Sequence, residues 1–311
     1  MSDHTTSANG PDPRDPLSAL AGRDDPATPR AAFAERLRRQ LEAELEDLMT
    51  DASMETPTTA PTDDETPRSV AGLTLDVELV NPGSLFYFTM PGPDVERSGR
   101  FYGELFGWDL QQGDSGYHVA NVYPPMGLAS NHSTDVEVWI EVTDIEAAVA
   151  TVRELGGTAE EPVRYDSGWS AVCVDPQGVR FNMTVPRHDY RQPARTSTEA
   201  GELFYWTLPA PDADASRAFF GRLFGWEFGE PGTEGGMHVS NRLPDGGLGG
   251  GREGSDPELF FRVDDLDAAM AKVVELGGTA AFAGEGDEGR HAMCTDDQGV
   301  PFGLSQPATG Y

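Results

Sequence analysis

The sequence predicts an α+β chain built from two tandem domains, and three observations carry that prediction. The octet Phe101–Trp108 recurs as Phe219–Trp226, with Phe, Gly, Leu, Phe, Gly and Trp at matched positions. Each repeat contains the pattern of a strand, a helix and three further strands twice over. The turn Asp175–Gly178 has a counterpart at Asp296–Gly299. The repeat is much longer than the ~20–50 residues of a solenoid unit, so the copies are predicted to be whole domains.

The first 80 residues lie outside the repeats. Residues 1–28 are rich in Asp, Pro, Ser, Thr and Gly, which predicts disorder because so little apolar surface can be buried. Residues 51–80 are predicted to be an acidic linker. Between them, residues 29–50 are predicted to form an amphipathic helix, either a docking helix for a partner or the domains, or a marginal appendage. Its apolar residues recur at helical spacing: Phe33, Leu37, Leu41, Leu45 and Leu48.

The first repeat is assigned to residues 81–187. Its aromatic run Leu85–Met90 predicts a strand, and Asp94 is a predicted N-cap of the helix that carries the octet. Gly107 follows as the C-cap. The second unit starts with the alternating strand Glu137–Val142 and continues, after the cap Asp144, as a helix from Ile145 to Leu155, with three more strands to follow. We interpret the octet as scaffold, because its apolar residues belong to a helix packed on the sheet.

A polar joint, residues 188–199, leads to the second repeat, residues 200–308. Leu203–Trp206 matches the first strand and Glu258–Val263 the middle strand, with Asp212 and Asp265 as the matching caps. The glycine cluster Gly246–Gly251 precedes no helix, and we interpret it as loop.

Composition restricts the class of protein. The chain has 311 residues and a formal net charge of −31, which disfavours nucleic acid and anionic membranes as partners. The acidity is interpreted as a solvated surface suited to a salty cytosol rather than as a set of cation sites. Cys173 and Cys294 occupy matched strand positions, which favours two buried thiols over a disulfide. With neither a secretory signal nor a stretch that could cross a bilayer, a cytoplasmic protein is expected.

The octet helix, the Val-x-Asp-Ile/Leu-x-Ala-Ala helix start and the Asp-Pro-Gln-Gly-x-x-Phe ending resemble the vicinal oxygen chelate superfamily. That group includes glyoxalase I, the bleomycin- and fosfomycin-resistance proteins and the extradiol dioxygenases. The resemblance covers residues 83–186 and 201–307. It implies paired βαβββ modules whose curved strands form an open cup around a small ligand.

Members of the superfamily usually hold a divalent metal in the cup, with His, Gln or Glu ligands. The resemblance places the ligand positions of the first domain at Tyr87, Glu137 and Asn182. In the second domain they fall at Tyr205, Glu258 and Gly303. A neutral phenol, an amide and a glycine are poor substitutes for His and Glu, so we expect no tightly held metal cofactor.

The candidate catalytic residues are four polar side chains that occur as matched pairs. Glu137 and Glu258 begin matched strands, and each is either a general base with a raised pKa or a carboxylate bound to a neighbouring Arg or Tyr. His118 and His238 are either acid–base partners of these carboxylates, unusual metal ligands, or hydrogen-bonded structural residues. The candidate ligand-binding residues form an aromatic wall or, alternatively, simple core: Tyr87, Trp139, Asn182, Tyr205 and Phe260.

Three functions remain open at this point. The first is a glyoxalase-like protein that binds a small apolar or aromatic metabolite without a tightly held metal. The second is a metal-dependent lyase or dioxygenase that uses Glu137 or Glu258 with His118 or His238. The third is a non-catalytic partner-binding protein acting through the N-terminal helix. The expected partner is a small molecule, and the chain is expected to be a monomer with paired domains or a homodimer.

Overall fold

The computed structural model describes residues 82–308, apart from 114–115, 131–134, 191–194, 196–197, 233–234, 255 and 287. The predicted disordered stretch, amphipathic helix and acidic linker of residues 1–80 lie outside the described residues.

The first domain follows the predicted module order, except that its second module has four strands after the helix instead of three. Its first module comprises β1 (Leu85–Pro91), α1 (Val95–Phe106), β2 (Leu110–Gly113), β3 (Gly116–Val119) and β4 (Met126–Ala129). Its second module comprises β5 (Glu137–Glu141), α2 (Ile145–Glu154), β6 (Thr158–Ala159), β7 (Val163–Tyr165), β8 (Gly168–Val174) and β9 (Arg180–Pro186). A short 3₁₀ helix, His188–Tyr190, follows in the joint.

The second domain repeats this order with small differences. Its elements are β10 (Leu203–Ala210), α3 (Ala213–Phe224), β11 (Met237–His238), β12 (Gly246–Gly250), β13 (Glu258–Arg262), α4 (Leu266–Glu275), β14 (Thr279–Gly286), β15 (Gly289–Thr295) and β16 (Pro301–Pro307). The counterpart of β2 is reduced to a single bridge between Phe228 and Val239.

One sheet spans each domain and joins its two modules through the first strand of each. The order of the first sheet is β2-β3-β4-β1-β5-β9-β8-β6, with β7 paired to β8, and that of the second is β11-β12-β10-β13-β16-β15-β14. The joining pair β1–β5 is antiparallel, and so is β10–β13. The tandem α+β architecture predicted from the sequence is therefore confirmed.

The helices begin where the sequence predicts. The side chains of Asp94, Asp144, Asp212 and Asp265 each accept a hydrogen bond of 3.0–3.1 Å from the backbone N–H three residues on. Such a cap satisfies one of the N–H groups that a helix start leaves without an internal partner. Gly107 ends α1 in the left-handed conformation, with φ 69°. Because a side chain there would be strained, glycine suits this C-cap.

Strand alternation sends one row of side chains to the helices and the other to the opposite face. Phe88, Val138 and Phe181 belong to the main core beneath the helices. Cys173 and Cys294 are also buried in that core as free thiols, which confirms the prediction for both.

The two octet helices lie at the seam between the domains, so their role extends beyond scaffold within one domain. The indole of Trp108 donates a 2.8 Å hydrogen bond to the carbonyl of Gly201, and Trp226 donates one of 2.7 Å to Gly83. Phe181 of β9 packs edge-on against Phe220 in α3. Each domain therefore uses the octet of the other as part of its own core.

The glycine cluster corrects one interpretation. Gly246–Gly250 was interpreted as loop, but it forms β12 and pairs in parallel with β10. A Cβ on Gly246 would stand 2.3 Å from the indole nitrogen of Trp206, and one on Gly250 would stand 2.1 Å from the carbonyl oxygen of Gly235. Gly246, Gly247 and Gly250 suit this strand because neighbouring atoms approach too closely for a Cβ, whereas Leu248 packs in the core.

Among the described residues, no helix combines the length and the apolar character needed to cross a membrane.

Candidate functional site

Each sheet presents the face opposite its helices as a cup. The first cup is the face of β1, β5 and β9 that carries Tyr87, Trp139 and Asn182, which are neighbours across the strands. The second cup is the matching face of β10, β13 and β16, where Phe260 lies beside Gly303. The three strands of each cup therefore bring the predicted positions together, as the resemblance implied.

Aromatic side chains fill the floor of the first cup. Tyr87 and Trp139 meet edge-on, with ring centroids 5.7 Å apart, and form a separate buried cluster with Phe86 and Tyr190. Tyr190 comes from the 3₁₀ helix in the joint, which places its ring over this cup. Only 2% of the surface of Tyr87 is exposed. Its predicted contact with a ligand stays a prediction, since the described structure shows it packed inside.

The polar candidates of the first cup are also largely covered. His118 is 2% exposed, and Asn182 is buried. Glu137 is half-buried, and burial raises the pKa of its carboxyl while nearby Arg180 opposes that effect. The space beside Glu137 and Asn182 is about 10 Å³, which is at the limit for a single water. These residues surround a closed interior in the part of the chain that the structure describes.

The second cup is open. It contains a cavity of about 440 Å³. Tyr205 and Phe260 line this cavity, as predicted for an aromatic wall, and so does Glu258. Side chains that sequence reasoning did not single out also line it: Phe204, Thr207, Arg252, Glu288, Arg290, His291, Ser305 and Gln306.

Two substitutions at matched positions explain part of the difference between the cups. Phe260 stands where the first cup has the larger Trp139, and Gly303 stands where it has Asn182. The ring of Phe260 lies over Gly303, because a Cβ on that glycine would be 2.2 Å from a ring carbon. The smaller side chains leave space that Trp139 and Asn182 occupy in the first cup.

An ion pair crosses the wall of the second cup. The guanidinium of Arg252 forms a salt bridge with Glu258 and donates a 3.2 Å hydrogen bond to the hydroxyl of Thr207. Its other nitrogen donates a 2.8 Å hydrogen bond to the carbonyl of Asp256. Arg252, which follows the glycine-rich strand β12, therefore occupies the carboxylate of Glu258, the candidate general base.

The pair Tyr205 and His238 forms the other polar feature of the second cup. The rings stack with centroids 5.9 Å apart, and the Tyr205 hydroxyl lies 3.4 Å from Nδ1 of His238. Burial, together with the carboxylates of Glu288 and Asp245, raises the pKa of Tyr205 far above its usual range. Tyr205 thus stays protonated at neutral pH, and its hydroxyl can donate as well as accept.

A glyoxalase-like domain model matches residues 88–184 and 206–305, which together make up more than half of the chain. The chain belongs to the glyoxalase-like domain family. Both matched segments coincide with the two sheets described above, so the resemblance inferred from the motifs is confirmed.

Relatives of known sequence extend this likeness along most of the chain. The putative glyoxylase CFP32 of Mycobacterium tuberculosis is 27% identical over 240 residues, covering 69% of this chain and 91% of the relative. The anthracycline biosynthesis protein DauV of Streptomyces sp. strain C5 is 25% identical over 264 residues, covering 74% and 95%.

Solved structures share the fold at lower identity. A catechol 2,3-dioxygenase has a TM-score of 0.53 at 14% identity, covering 75% of this chain and 91% of that one. The Mn(II)-bound glyoxalase from Novosphingobium aromaticivorans has a TM-score of 0.54 at 12% identity, covering 73% and 83%. At such identity the likeness concerns the fold alone.

The side chains of this glyoxalase-like protein do not fit the metal that the superfamily usually holds. In the second cup, Tyr205 is directed to His238, Glu258 is bound by Arg252, and Gly303 offers no donor. The first cup offers Glu137 beside a phenol and an amide. Within the described ranges, no three His, Cys, Asp or Glu side chains converge as ligands. The usual ligand chemistry is therefore missing at both sets of positions.

Sequence reasoning does not identify Arg252 and His291 at the second cup or Tyr190 at the first. Arg252 and His291 lie outside the motifs of the family, and nothing in their neighbourhoods marks them as cavity residues. Tyr190 lies in the polar joint, so no periodicity identifies it as part of the aromatic cluster.

The matched residues Asn121 and Asn241 are structural, because each bridges the loop after an octet helix with two hydrogen bonds of 2.7–3.0 Å.

Proposed function

We propose that this glyoxalase-like protein binds a small, planar aromatic metabolite in its second cup without a tightly held metal. The observation that carries the proposal is the cavity of about 440 Å³ between Tyr205, Phe260 and the glycine strand β12. Small-molecule sites typically measure about 300–1,000 Å³ and combine apolar walls with a few polar groups. The first cup, filled by its own aromatic cluster, supports a single ligand site per chain.

The shape of the walls favours a flat ligand. Gly249, Gly250 and Gly251 line one side, where glycine presents backbone to the cavity and the Arg252 side chain lies beside Gly249. The rings of Tyr205 and Phe260 lie on neighbouring strands and present an aromatic surface. Aromatic rings in a ligand gain from offset or edge-on contacts with such side chains.

Both arginines of the cavity are paired with carboxylates and Glu288 also lines it, so the polar groups disfavour an anionic ligand. Arg252 is neutralised by Glu258, and Arg290 makes a bidentate contact with Asp267 at 2.9 and 3.1 Å. The neutral polar residues Thr207, Ser305 and Gln306 also line the cavity. A neutral ligand with a hydroxyl or carbonyl group suits this set. The match to an anthracycline biosynthesis protein agrees with this class, because anthracyclines are planar aromatic compounds.

Exchange of the matched aromatic residues tests the proposal. We expect Phe260→Trp to reduce the affinity for fluorenone, a planar neutral probe, by about tenfold, since the larger ring takes up the space that the probe needs. Trp139→Phe makes the reverse exchange in the first cup and is the matched control. The dissociation constants are measured by isothermal titration calorimetry.

Two outcomes would contradict the proposal. A changed affinity in Trp139→Phe together with an unchanged affinity in Phe260→Trp would locate binding in the first cup. Copurification of about one equivalent of Fe, Mn, Zn or Ni per chain, lost in Glu258→Ala together with an activity, would support the metal-dependent lyase or dioxygenase instead. Metal content is measured by mass spectrometry on protein purified without chelators.

A further inference from the structure

Two polar residues of the second cup face its cavity from neighbouring strands. His291 of β15 and Ser305 of β16 are direct partners across the sheet, and both line the cavity. Their chain neighbours Ala292 and Leu304 also form a pair, and those two side chains lie in the core beneath the helices. Because side chains alternate along a strand, His291 and Ser305 extend from the opposite face, into the cup.

A glycine makes room for the imidazole. Gly284 of β14 is the partner of His291 on its other side, and a Cβ on that glycine would stand 3.0 Å from Cε1 of the ring. The ring therefore lies over bare backbone at the side of the cup. Among the described residues, no group forms a hydrogen bond or ion pair with the side chain of His291 or of Ser305. These two residues are the polar pair of the second cup.

Other polar groups of the cavity are already bound by the protein. Arg252 holds both Glu258 and Thr207. The side-chain oxygen of Gln306 accepts a 3.0 Å hydrogen bond from the backbone of Leu266. A ligand would have to displace these contacts, whereas the polar pair is available without any such loss.

The polar pair lies one step along the strands from the aromatic wall. Phe260 packs over its neighbour Gly303, and Ser305 follows two residues later on the same strand. Two residues of a strand span roughly 7 Å. A flat ligand on Phe260 would therefore bring the end of its long axis to the polar pair.

From this geometry we propose that His291 and Ser305 bind a hydroxyl group at the end of the long axis of the ligand, so that the second cup selects hydroxylated planar aromatic compounds. The inference rests on the proposed ligand site and names the group that this site recognises. Both residues would touch the ligand, and their role is specificity.

A hydroxyl suits the polar pair better than a carbonyl does. A neutral imidazole has one N–H donor and one acceptor nitrogen, and a serine hydroxyl both donates and accepts. A ligand hydroxyl can donate to one member of the pair and accept from the other, whereas a carbonyl only accepts. Glu288 also lines the cavity, and a carboxylate only accepts, which again favours a ligand that donates. A site of this kind discriminates against an analogue that lacks the hydroxyl.

The first cup has no such pair. Ser170 and Thr184 occupy the matched positions and are also partners across the strands, but both are buried. The hydroxyl of Ser170 donates a 3.1 Å hydrogen bond to the carbonyl of Met183, and that of Thr184 donates one of 3.1 Å to Trp169. Their donors are used within the sheet, so hydroxyl recognition is a property of the second cup.

Three planar probes of one shape test the inference. 2-Hydroxyfluorenone carries a hydroxyl at the end of its long axis, 4-hydroxyfluorenone carries it at the inner edge, and fluorenone has none. By isothermal titration calorimetry we expect 2-hydroxyfluorenone to bind about tenfold more tightly than fluorenone, the effect of one or two hydrogen bonds. The Kd of 4-hydroxyfluorenone should lie within about twofold of that of fluorenone, because its hydroxyl does not reach the pair.

Variants of the polar pair assign the preference to these side chains. In His291→Leu and in Ser305→Ala, the preference for 2-hydroxyfluorenone over fluorenone should fall from about tenfold to about threefold or less. His291→Gln keeps a donor and an acceptor and should retain more of the preference than His291→Leu. Exposed His188 supplies the control, and His188→Leu should leave the preference unchanged.

The outcomes distinguish this inference from the proposed function. If fluorenone binds and Phe260→Trp weakens it, but the three probes bind equally, the ligand site stands and hydroxyl recognition is wrong. The inference is also overturned if the preference survives in both His291→Leu and Ser305→Ala, or if these variants weaken fluorenone as much as 2-hydroxyfluorenone. If no probe binds, the proposed ligand class and the inference fail together.

Discussion

Glu137 and Glu258 occupy matched positions, but their surroundings differ. Glu258 is bound by Arg252 at the wall of an open cavity. Glu137 is half-buried beside the Arg180–Asp135 ion pair, whose closest atoms are 3.2 Å apart. Burial dominates there and raises the pKa of Glu137 above its usual value. The sequence predicts that both carboxylates begin matched strands, but their partners depend on the fold: Arg252, just before β13, binds Glu258, whereas Arg180 of β9 lies near Glu137.

The raised pKa of Glu137 predicts a pH-dependent stability. A group whose pKa is higher in the folded state contributes stability below its unfolded pKa and loses it as the pH rises through the folded pKa. At neutral pH the ionised carboxylate therefore costs stability, because burial penalises the charge. We expect Glu137→Gln to raise the Tm at about pH 7, with the difference shrinking as the pH falls to about 4, just below the ordinary pKa of a Glu carboxyl.

Exposed Glu160 supplies the control for that measurement. Glu160→Gln should leave the Tm nearly unchanged at both pH values, since a solvated carboxylate has the same surroundings folded and unfolded. A lower Tm for Glu137→Gln at neutral pH would mean that attraction to Arg180 outweighs burial.

At the scale of elements, the sequence predicted best where the chemistry is local. The caps Asp94 and Asp212, followed by apolar residues at helical spacing, predicted two helix starts that the structure confirms. The sequence does not identify β12 as a strand, because glycine has low strand propensity. Glycine is favoured in β12 by close contacts with side chains and backbone from other segments. The aromatic cluster that fills the first cup is not predictable from the sequence either, because Tyr190 lies in a segment without helix or strand periodicity.

The close approach of β12 to its neighbours predicts a large effect of a single methyl group. Gly250→Ala would place a Cβ 2.1 Å from the carbonyl oxygen of Gly235, so the backbone must shift. We expect a loss of about 1–3 kcal/mol in the free energy of unfolding, measured with urea. Gly229→Ala is the control, because no atom lies within 4 Å of the added Cβ. Equal stability of the two variants would show that β12 is not constrained in this way.

Over the whole molecule, duplication produced an approximately symmetric seam but two different cups. Gln177 in the hairpin turn of the first domain contacts the start of α3, and Gln298 makes the same contacts with the start of α1. The matched turns could be predicted from the sequence, but their role in pairing the domains could not, because it depends on how the domains meet. The asymmetry of the cups depends on single residues such as Phe260 and Gly303.

The seam predicts that the two domains unfold together. The amide of Gln177 donates a 2.6 Å hydrogen bond to Ser216 and accepts one of 2.6 Å from the backbone of Asp212. Removal of either glutamine leaves a buried serine hydroxyl without this partner. We therefore expect Gln177→Ala and Gln298→Ala each to lower the free energy of unfolding by about 1–3 kcal/mol.

The two contacts share no residue, so the effects of Gln177→Ala and Gln298→Ala should add in the double variant to within about 0.5 kcal/mol. Calorimetry should show one cooperative transition in every variant, because octet residues of each domain, such as Phe106 and Phe220, pack in the core of the other against Phe261 and Phe181. Exposed Gln111 provides the control, and Gln111→Ala should change stability by less than about 0.5 kcal/mol. Two separate transitions in the double variant would mean that each domain is stable without the octet of the other.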